Sequence, residues 1–291
     1  MKINTPGISL LILATAVFFS IQACSSEHTP EKPKVNLITS ISGSYMKAPV
    51  LQESGAGNFT NGDKIKLLAA TEKTTAAHLY TIGNTLYWDE LDLPPITERV
   101  TFAAIYPNQN LDNEYKCQVD VRTASDKDPL IAAPITVPLN NTAPHQLKFA
   151  HAMHKLVINY KTDENYSSLD IKEIKTTLHN IAPVAIINVL KGGTEKTTEE
   201  RADITLSGQN IVFMLPPQEV SETKFTLQIQ GRTYTYQLPK TLPDNKTILN
   251  KIKANSMLKL DLTIKRNGVH FDSFIISGWD TQGEISDSIT I

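Results

Sequence analysis

The sequence of 291 residues contains only two cysteines, and its charge has no strong bias of either sign. Its 28 basic and 30 acidic side chains give a formal net charge of −2, which argues against non-specific binding of nucleic acid, because such binding needs a concentrated basic surface. Long runs of alanine, leucine and glutamate are missing. The longest apolar run, at residues 8–21, is too short for a membrane-spanning helix.

Sequence motifs of the common enzyme classes are also missing. We find no G-x-S-x-G, no P-loop and no C-x-x-C, and the KGGT segment at residues 191–194 indicates only a glycine turn. Cys117 has no neighbouring signature of a nucleophile and is expected to be a small buried or half-buried apolar residue. We therefore predict that the protein is not an enzyme and binds no cofactor.

Three histidines lie close together in the chain, at His145, His151 and His154. On one strand, residues three apart point to opposite faces, and the H-E-x-x-H pattern of helical zinc sites is absent. We therefore predict no metal site, with one of the last two histidines packed inward and the other facing solvent. A two-histidine site completed by distant carboxylates is the alternative.

The N-terminal segment has the pattern of an export signal. Lys2 precedes the apolar run, which ends in Ile21-Gln22-Ala23-Cys24. A small residue before a cysteine, with an aliphatic residue three positions before it, resembles the lipobox of bacterial lipoproteins. That resemblance implies a signal peptide over 1–23, diacylation (including palmitate) of Cys24 and a polar tether over 24–34. An ordinary signal peptide followed by a chance cysteine is the alternative.

From Val35 onward, alternation of apolar and polar residues dominates, and threonine, isoleucine, valine and tyrosine recur. Two hairpins are predicted, one turning at Gly231-Arg232 and one at Asn267-Gly268. The helical candidates are short: the NKIKAN segment at 250–255 and the approach to Leu93.

About fourteen predicted strands are too many for one small sandwich, so the pattern indicates an all-β chain with two β-sandwich domains. The best boundary is the segment VPLNNTAPHQ, which is rich in proline and asparagine. The predicted domains are 35–145 and 146–291.

Segments along the chain resemble, in order, the motifs of the fimbrillin family, the subunits of type V pili and their surface-lipoprotein relatives. These segments are FTNGDKIKLL, VTFAAIYP, LKFAHAMHKLVINY and the closing IISGW. The residues that match are Phe59, Gly62, Asp63, Ile65, Tyr106, Pro107, Phe149, His151, Lys155, Leu156, Ile276 and Trp279. For the segment LKFAHAMHKLVINY, which contains His151 and His154, the resemblance favours a structural strand.

The resemblance implies two transthyretin-like β-sandwiches in tandem, exported as a lipoprotein. In polymerising members a protease cuts after a basic residue, usually arginine, and so removes the N-terminal strand. A strand from a neighbouring subunit then fills the groove that this strand leaves open. Here residues 35–42 match a first strand, and the C-terminal segment EISDSITI, at 284–291, matches a donor. That donor would place Ile285, Ile289 and Ile291 on one side, together with Asp287.

One departure from the family pattern concerns this maturation step. No arginine lies between Cys24 and Glu98, although lysines are present at positions 32, 34 and 47. Either a lysine-directed or a different protease acts, or the chain keeps its first strand and its lipid. The second case would make it an anchor, a tip component or a stand-alone surface lipoprotein.

The resemblance implies a structural pilus subunit, an anchor or a tip component, lipid-anchored in the outer membrane and supporting adhesion. Its partners would be other fimbrillin subunits, bound by strand exchange, and surface ligands of host or bacterial cells. A stand-alone glycan-binding lipoprotein is the alternative, with Tyr87, Trp88 and Trp279 as stacking candidates. Core packing of these aromatic residues is the simpler explanation.

Overall fold

The computed structural model describes residues 31–41, 59–123, 128–162, 173–197, 199–220, 222–238, 251–265 and 268–278. The regular structure in these ranges consists of strands and one short 3-10 helix, η1 (Trp88–Glu90), so the predicted all-β class is confirmed. None of the described segments forms a helix long and apolar enough to cross a membrane.

The strands are numbered in chain order. The first nine are β1 (Lys34–Val35), β2 (Leu37–Ile41), β3 (Lys64–Ala70), β4 (Thr75–Thr81), β5 (Leu86–Tyr87), β6 (Arg99–Tyr106), β7 (Lys116–Asp120), β8 (Leu130–Pro138) and β9 (His145–His151). The others are β10 (His154–Thr162), β11 (Lys175–Ile181), β12 (Val184–Asn188), β13 (Gly193–Thr197), β14 (Ala202–Ser207), β15 (Asn210–Leu215), β16 (Gln218–Glu219), β17 (Lys224–Ile229), β18 (Arg232–Gln237), β19 (Lys251–Ile252), β20 (Ser256–Lys265) and β21 (Gly268–Gly278).

A six-stranded sheet, in the order β2-β9-β8-β6-β3-β4, organises the first half of the chain. Its neighbours are antiparallel except for β2 and β9, which run parallel. Both faces of β3 and β6 are buried over their central residues. Leu67 and Phe102 belong to one core, and Leu68 and Ile105 belong to another. This explains the nearly continuous apolar runs KIKLLAA and VTFAAIY, since a strand covered on both faces has no solvent-facing side.

Two four-stranded sheets enclose the core of the second half, in the orders β15-β10-β20-β21 and β14-β11-β17-β18. Leu156 and Ile158 of β10 pack in the same core as Phe225 and Leu227 of β17. The hydroxyl groups of Tyr160 and Thr176 lie 2.7 Å apart and are hydrogen-bonded, which links the two sheets through the buried core.

A three-stranded sheet, β13-β12-β7, joins segments that are far apart in the sequence. Strand β7 comes from the first half of the chain and pairs with β12, so that Cys117 lies opposite Ile187. Cys117 is buried, as its lack of reactive neighbours predicted, and burial raises the pKa of its thiol to about 11. The thiol is therefore protonated at neutral pH and is a poor nucleophile.

The predicted helix at NKIKAN is wrong over its described part. Lys251–Ile252 is a short strand that pairs with Gln218–Glu219, and a turn follows at 254–255. The six-residue segment is too short to form a stable helix alone, and the tertiary pairing decides its conformation. The helix expected on the approach to Leu93 is present as η1.

Both predicted hairpins form, but the first turn lies one residue earlier than expected. Ile229 is opposite Arg232, so the turn residues are Gln230 and Gly231. Their φ angles are 48° and 76°, as a type I′ turn requires, so the glycine occupies the second turn position rather than the first position of the predicted Gly-X turn. In the second hairpin, Lys265 is opposite Gly268, and residue 267 lies outside the described residues.

Candidate functional site

The two central histidines lie on different strands. His151 ends β9 in the six-stranded sheet, and His154 begins β10 in a sheet of the second half. Each is only 2% exposed, so the expectation that one of them faces solvent is wrong. The rule of alternating faces holds within one strand, and Ala152 and Met153 carry the chain from one sheet to another.

His151 anchors this crossing. Its Nδ1 lies 2.5 Å from Oδ2 of Asp128, and Oδ1 of Asp128 accepts the backbone N–H of Met153 at 3.3 Å. The side-chain carbonyl of Asn255 accepts the backbone N–H of His151 at 3.2 Å. Burial raises the pKa of Asp128, and the bond to His151 opposes that shift. These contacts fix the loops before β8 and β20 against the crossing, which is a structural role.

His154 is held in one tautomer. The hydroxyl of Ser256 donates to the carbonyl of Lys253 at 2.7 Å, so it accepts from Nδ1–H of His154 at 2.9 Å. Nε2 is buried without a hydrogen-bond partner and carries the lone pair. Burial lowers the pKa of His154 to about 4, so the ring is neutral at physiological pH.

His145 lies at the start of β9, where its ring is 3.3 Å from the carbonyl oxygen of Asn141. Within the described ranges, no three side chains of histidine, cysteine, aspartate or glutamate come together as metal ligands would.

Several residues of the family motifs meet in one aromatic cluster. The ring of Phe59 contacts those of Phe149 and Tyr106, with centroid distances of 4.7 and 5.2 Å. Gly62 has a φ of +104°, and the carboxylate of Asp63 accepts the backbone N–H of Thr60 at 2.8 Å, which closes the turn before β3. These motif residues therefore stabilise the first core.

Other motif residues have simpler positions. Ile65 is fully buried and Leu156 is nearly so, and the Tyr106–Pro107 peptide bond is cis. The backbone of Ile276 lies opposite Leu258 in the β20–β21 pair, whereas Trp279 lies outside the described residues.

Trp88 is not available as a sugar-stacking platform. It is 4% exposed, and its ring packs against Phe102 at a centroid distance of 5.8 Å. The indication from sequence that it could stack on a glycan is therefore wrong, because the residue lies on η1 and points into the first core. Tyr87 is partly buried and lies opposite Lys34 in the short β1–β5 pair.

The N-terminal strand lies where strand exchange would require it. Among the described strands, β2 forms one edge of the six-stranded sheet and is paired with β9 alone, and β1 is paired with β5 alone. Ile41 and Val35 are only 5–6% exposed and belong to the first core, whereas Ile38 is 48% exposed. Each of the two strands is therefore held by a single neighbouring strand, β5 for β1 and β9 for β2, and by alternate apolar side chains.

The surface beneath this edge is apolar. β9 pairs with β2 so that Leu147 lies opposite Thr39 and Phe149 opposite Ile41, and both β9 side chains are fully buried. Loss of β2 would leave the outer edge of β9 unpaired and would uncover this part of the first core. Cys24 and the proposed donor residues Ile285, Ile289 and Ile291 lie outside the described residues.

Comparison with known proteins identifies a family and a fold. The sequence model of the fimbrillin-like family matches residues 52–279. No curated protein sequence matches the chain significantly.

Solved structures with similar folds include three candidate cell adhesion proteins. The one from Bacteroides uniformis is 20% identical, with a TM-score of 0.60, over 76% of this chain and 93% of that one. Those from Bacteroides ovatus and Bacteroides thetaiotaomicron are 15% and 17% identical, with TM-scores of 0.58 and 0.52. They cover 87% and 81% of this chain, and 99% and 95% of their own. Because all three sequence identities are below 25%, these similarities establish the fold of the chain and nothing further about it.

Proposed function

Because the chain belongs to the fimbrillin-like family, as its motifs predicted, we propose that it is a lipid-anchored pilus protein of the outer membrane that assembles by strand exchange. It would act as a subunit, an anchor or a tip component and support adhesion. The names of the structural relatives, which are candidate cell adhesion proteins, agree with this role. The observation that carries the proposal is the position of β2, an edge strand with apolar side chains in the first core.

The spacing of side chains suggests how a donor strand would replace β2. Val35, Leu37 and Ile41 belong to or pack against the first core, and Thr39 lies opposite the buried Leu147, so the third position on the core side is polar. Read backward, the C-terminal segment places Ile291, Ile289, Asp287 and Ile285 on one side, again with the polar residue third. A donor in reverse direction would run antiparallel to β9, which β2 does not, and antiparallel pairing is slightly more stable.

A cleavage that opens this groove must fall after β2, because the two N-terminal strands end at Ile41. Cleavage at Lys32 or Lys34 would leave β2 in place. Lys47 is the first lysine after β2, and no arginine precedes Arg99. We therefore propose Lys47 as the maturation site if a protease specific for basic residues acts on this chain.

Limited digestion with a lysine-specific protease tests this mechanism. Digestion should convert the purified protein into oligomers that resist SDS, and Lys47→Gln should prevent this conversion. A matched variant, Lys34→Gln, should still assemble. Replacing Ile289 with aspartate should abolish assembly without changing cleavage, because a charge would enter an apolar groove. Cleaved protein that forms no SDS-resistant oligomers would contradict strand exchange and favour a stand-alone lipoprotein.

Lipidation is tested separately. Metabolic labelling of cells with a palmitate analogue should tag the wild-type protein, and Cys24→Ala should lose the tag, because the thiol of Cys24 is the proposed attachment point. The tagged protein should fractionate with the outer membrane. Equal labelling of wild type and variant would rule out an anchor at Cys24.

A further inference from the structure

At the edge of the six-stranded sheet opposite β2, strand β4 has β3 as its only partner among the strands that the structure describes. Its sequence, TAAHLYT, has no acidic or basic residue other than His78 and no proline. Its register with β3 is regular, without a bulge, and Leu79 is 54% exposed. Natural proteins usually protect such edges with lysine, proline or a bulge, and β4 has none of these.

The hydrogen bonds at the two ends of the β3–β4 hairpin show which backbone groups point outward. Thr71 N–H donates to Thr74 C=O, and Ile82 N–H donates to Asp63 C=O. Bonded pairs alternate between these ends, so Ala76, His78 and Tyr80 are bonded to β3. The backbone groups of the four alternate residues face away from the sheet; these are Thr75, Ala77, Leu79 and Thr81.

Two of the outward carbonyls are already occupied. The hydroxyl of Tyr115 donates to Thr75 C=O at 2.7 Å, and the N–H of Asn84 donates to Thr81 C=O at 3.1 Å. In the described part of the chain, no group is bonded to the outward N–H and C=O of Ala77 and Leu79. The free donors and acceptors are therefore concentrated at the centre of the strand.

This arrangement is self-complementary. If two β4 strands pair antiparallel about an axis at His78, Ala77 of each copy lies opposite Leu79 of the other. The pairing uses all four free central groups in each copy, for four hydrogen bonds in total, and leaves the bonds of Tyr115 and Asn84 in place. Each exposed Leu79 then lies beside a small Ala77 of the other copy, and no ionised carboxylate or amine of β4 is brought near its counterpart.

We propose that β4 is a self-association edge through which a second copy of this chain pairs, joining two six-stranded sheets into one of twelve strands. The contact is isologous, because the same residues face each other across a two-fold axis. It does not depend on the strand exchange proposed above, which uses the opposite edge of the sheet and requires cleavage. It would connect subunits side by side rather than end to end.

The first test is the oligomeric state of the uncleaved protein, measured by sedimentation equilibrium over a range of concentrations. The wild type should form a dimer reversibly. Leu79→Lys should weaken the dimer at least tenfold, because it introduces a charge at the centre of the contact. Val212→Lys is the matched control, since Val212 is also partly exposed, on the edge strand β15, and it should leave dimerisation unchanged. A wild type that stays monomeric, or a dimer unaffected by Leu79→Lys, would overturn the proposal.

The second test checks the register in a Cys24→Ser background. Opposite residues that are not hydrogen-bonded have Cα atoms about 4.5 Å apart, which a disulfide can bridge. His78→Cys should therefore form a cross-linked dimer under mild oxidation. Ala76→Cys should not, because its partner is Tyr80 of the other copy. Equal cross-linking of both variants, or of Ala76→Cys alone, would overturn the proposed register. Circular dichroism should show the same fold for every variant.

Discussion

At the crossing between the sheets, the ring of His154 is kept neutral by its surroundings. It donates one hydrogen bond, to Ser256, and its other nitrogen is buried without a partner. A proton on that nitrogen would place an unpaired charge in an apolar core, which is why its pKa is lowered to about 4. The free energy of unfolding therefore depends on pH through His154.

We expect the free energy of unfolding to fall as the pH decreases from 6.5 towards 4. The unfolded chain takes up a proton at His154 near its ordinary pKa of 6.5, whereas the folded chain excludes it down to about 4. The contribution of neutral His154 to the free energy of unfolding is fully present above pH 6.5, and it has fallen by about 2 kcal/mol at pH 5. Urea denaturation at pH 7.5 and pH 5 measures the difference.

The comparison of variants isolates this residue. His154→Gln should lower the stability at pH 7.5 but flatten its pH dependence. His179→Gln, which alters a partly exposed histidine, should retain most of the dependence. The raised pKa of Asp128 changes the free energy of unfolding with pH in the opposite direction. The pH dependence of the wild type alone would therefore not isolate the contribution of His154. An equal slope in wild type and His154→Gln would contradict the assignment.

At the scale of single elements, the β17–β18 hairpin depends on the conformation of Gly231. Its φ of +76° is in the left-handed region, and an added Cβ would meet no atom within 4 Å. Any cost of a side chain there must therefore come from the backbone rather than from a clash. This separates conformational strain from packing at one position.

Gly231→Ala should lower the free energy of unfolding by about 1 kcal/mol, the cost of a left-handed conformation in a residue with a Cβ. Gly193→Ala is the matched control, because Gly193 also has open space around it but its φ lies outside the left-handed region. That variant should be neutral or slightly stabilising. Thermal denaturation followed by circular dichroism measures both, and equal losses would contradict the explanation.

For the whole molecule, the pairing of β7 with β12 joins the two halves of the chain. Cys117 and Val119 share a core with Ala185 and Ile187, and this core continues into the sheets of the second half. The backbone hydrogen bonds between β7 and β12 can form only when both halves are folded. The described residues from Lys32 onward form one compact unit.

We therefore expect a single unfolding transition in differential scanning calorimetry. Ile187→Ala removes a fully buried side chain from the shared core and should destabilise the protein by about 2–5 kcal/mol. The transition should move to lower temperature and remain single. Val212→Ala, at a partly exposed position, should shift it much less. Two separate transitions, of which only one moves, would show that the halves unfold independently.

The positions of most strands and the all-β class follow from the sequence, because alternation along a strand is a local property of neighbouring residues. The family motifs are also local, and they predicted the family correctly. Tight turns are harder to position from sequence, since a glycine can occupy either the first position (type II′) or the second position (type I′) of a two-residue turn. This is why the Gln230-Gly231 turn lies one residue from its predicted place.

The tertiary structure alone decided which strands pair and which side chains become buried. Trp88 enters the first core, and both His151 and His154 are buried because the chain changes sheets between them. The pairing of β7 with β12, and the position of β4 at an edge of the sheet as far as it is described, depend on segments that are distant in the sequence. Alternation specifies that a strand has two faces, but the neighbours that cover each face and edge are set only when the whole chain packs together.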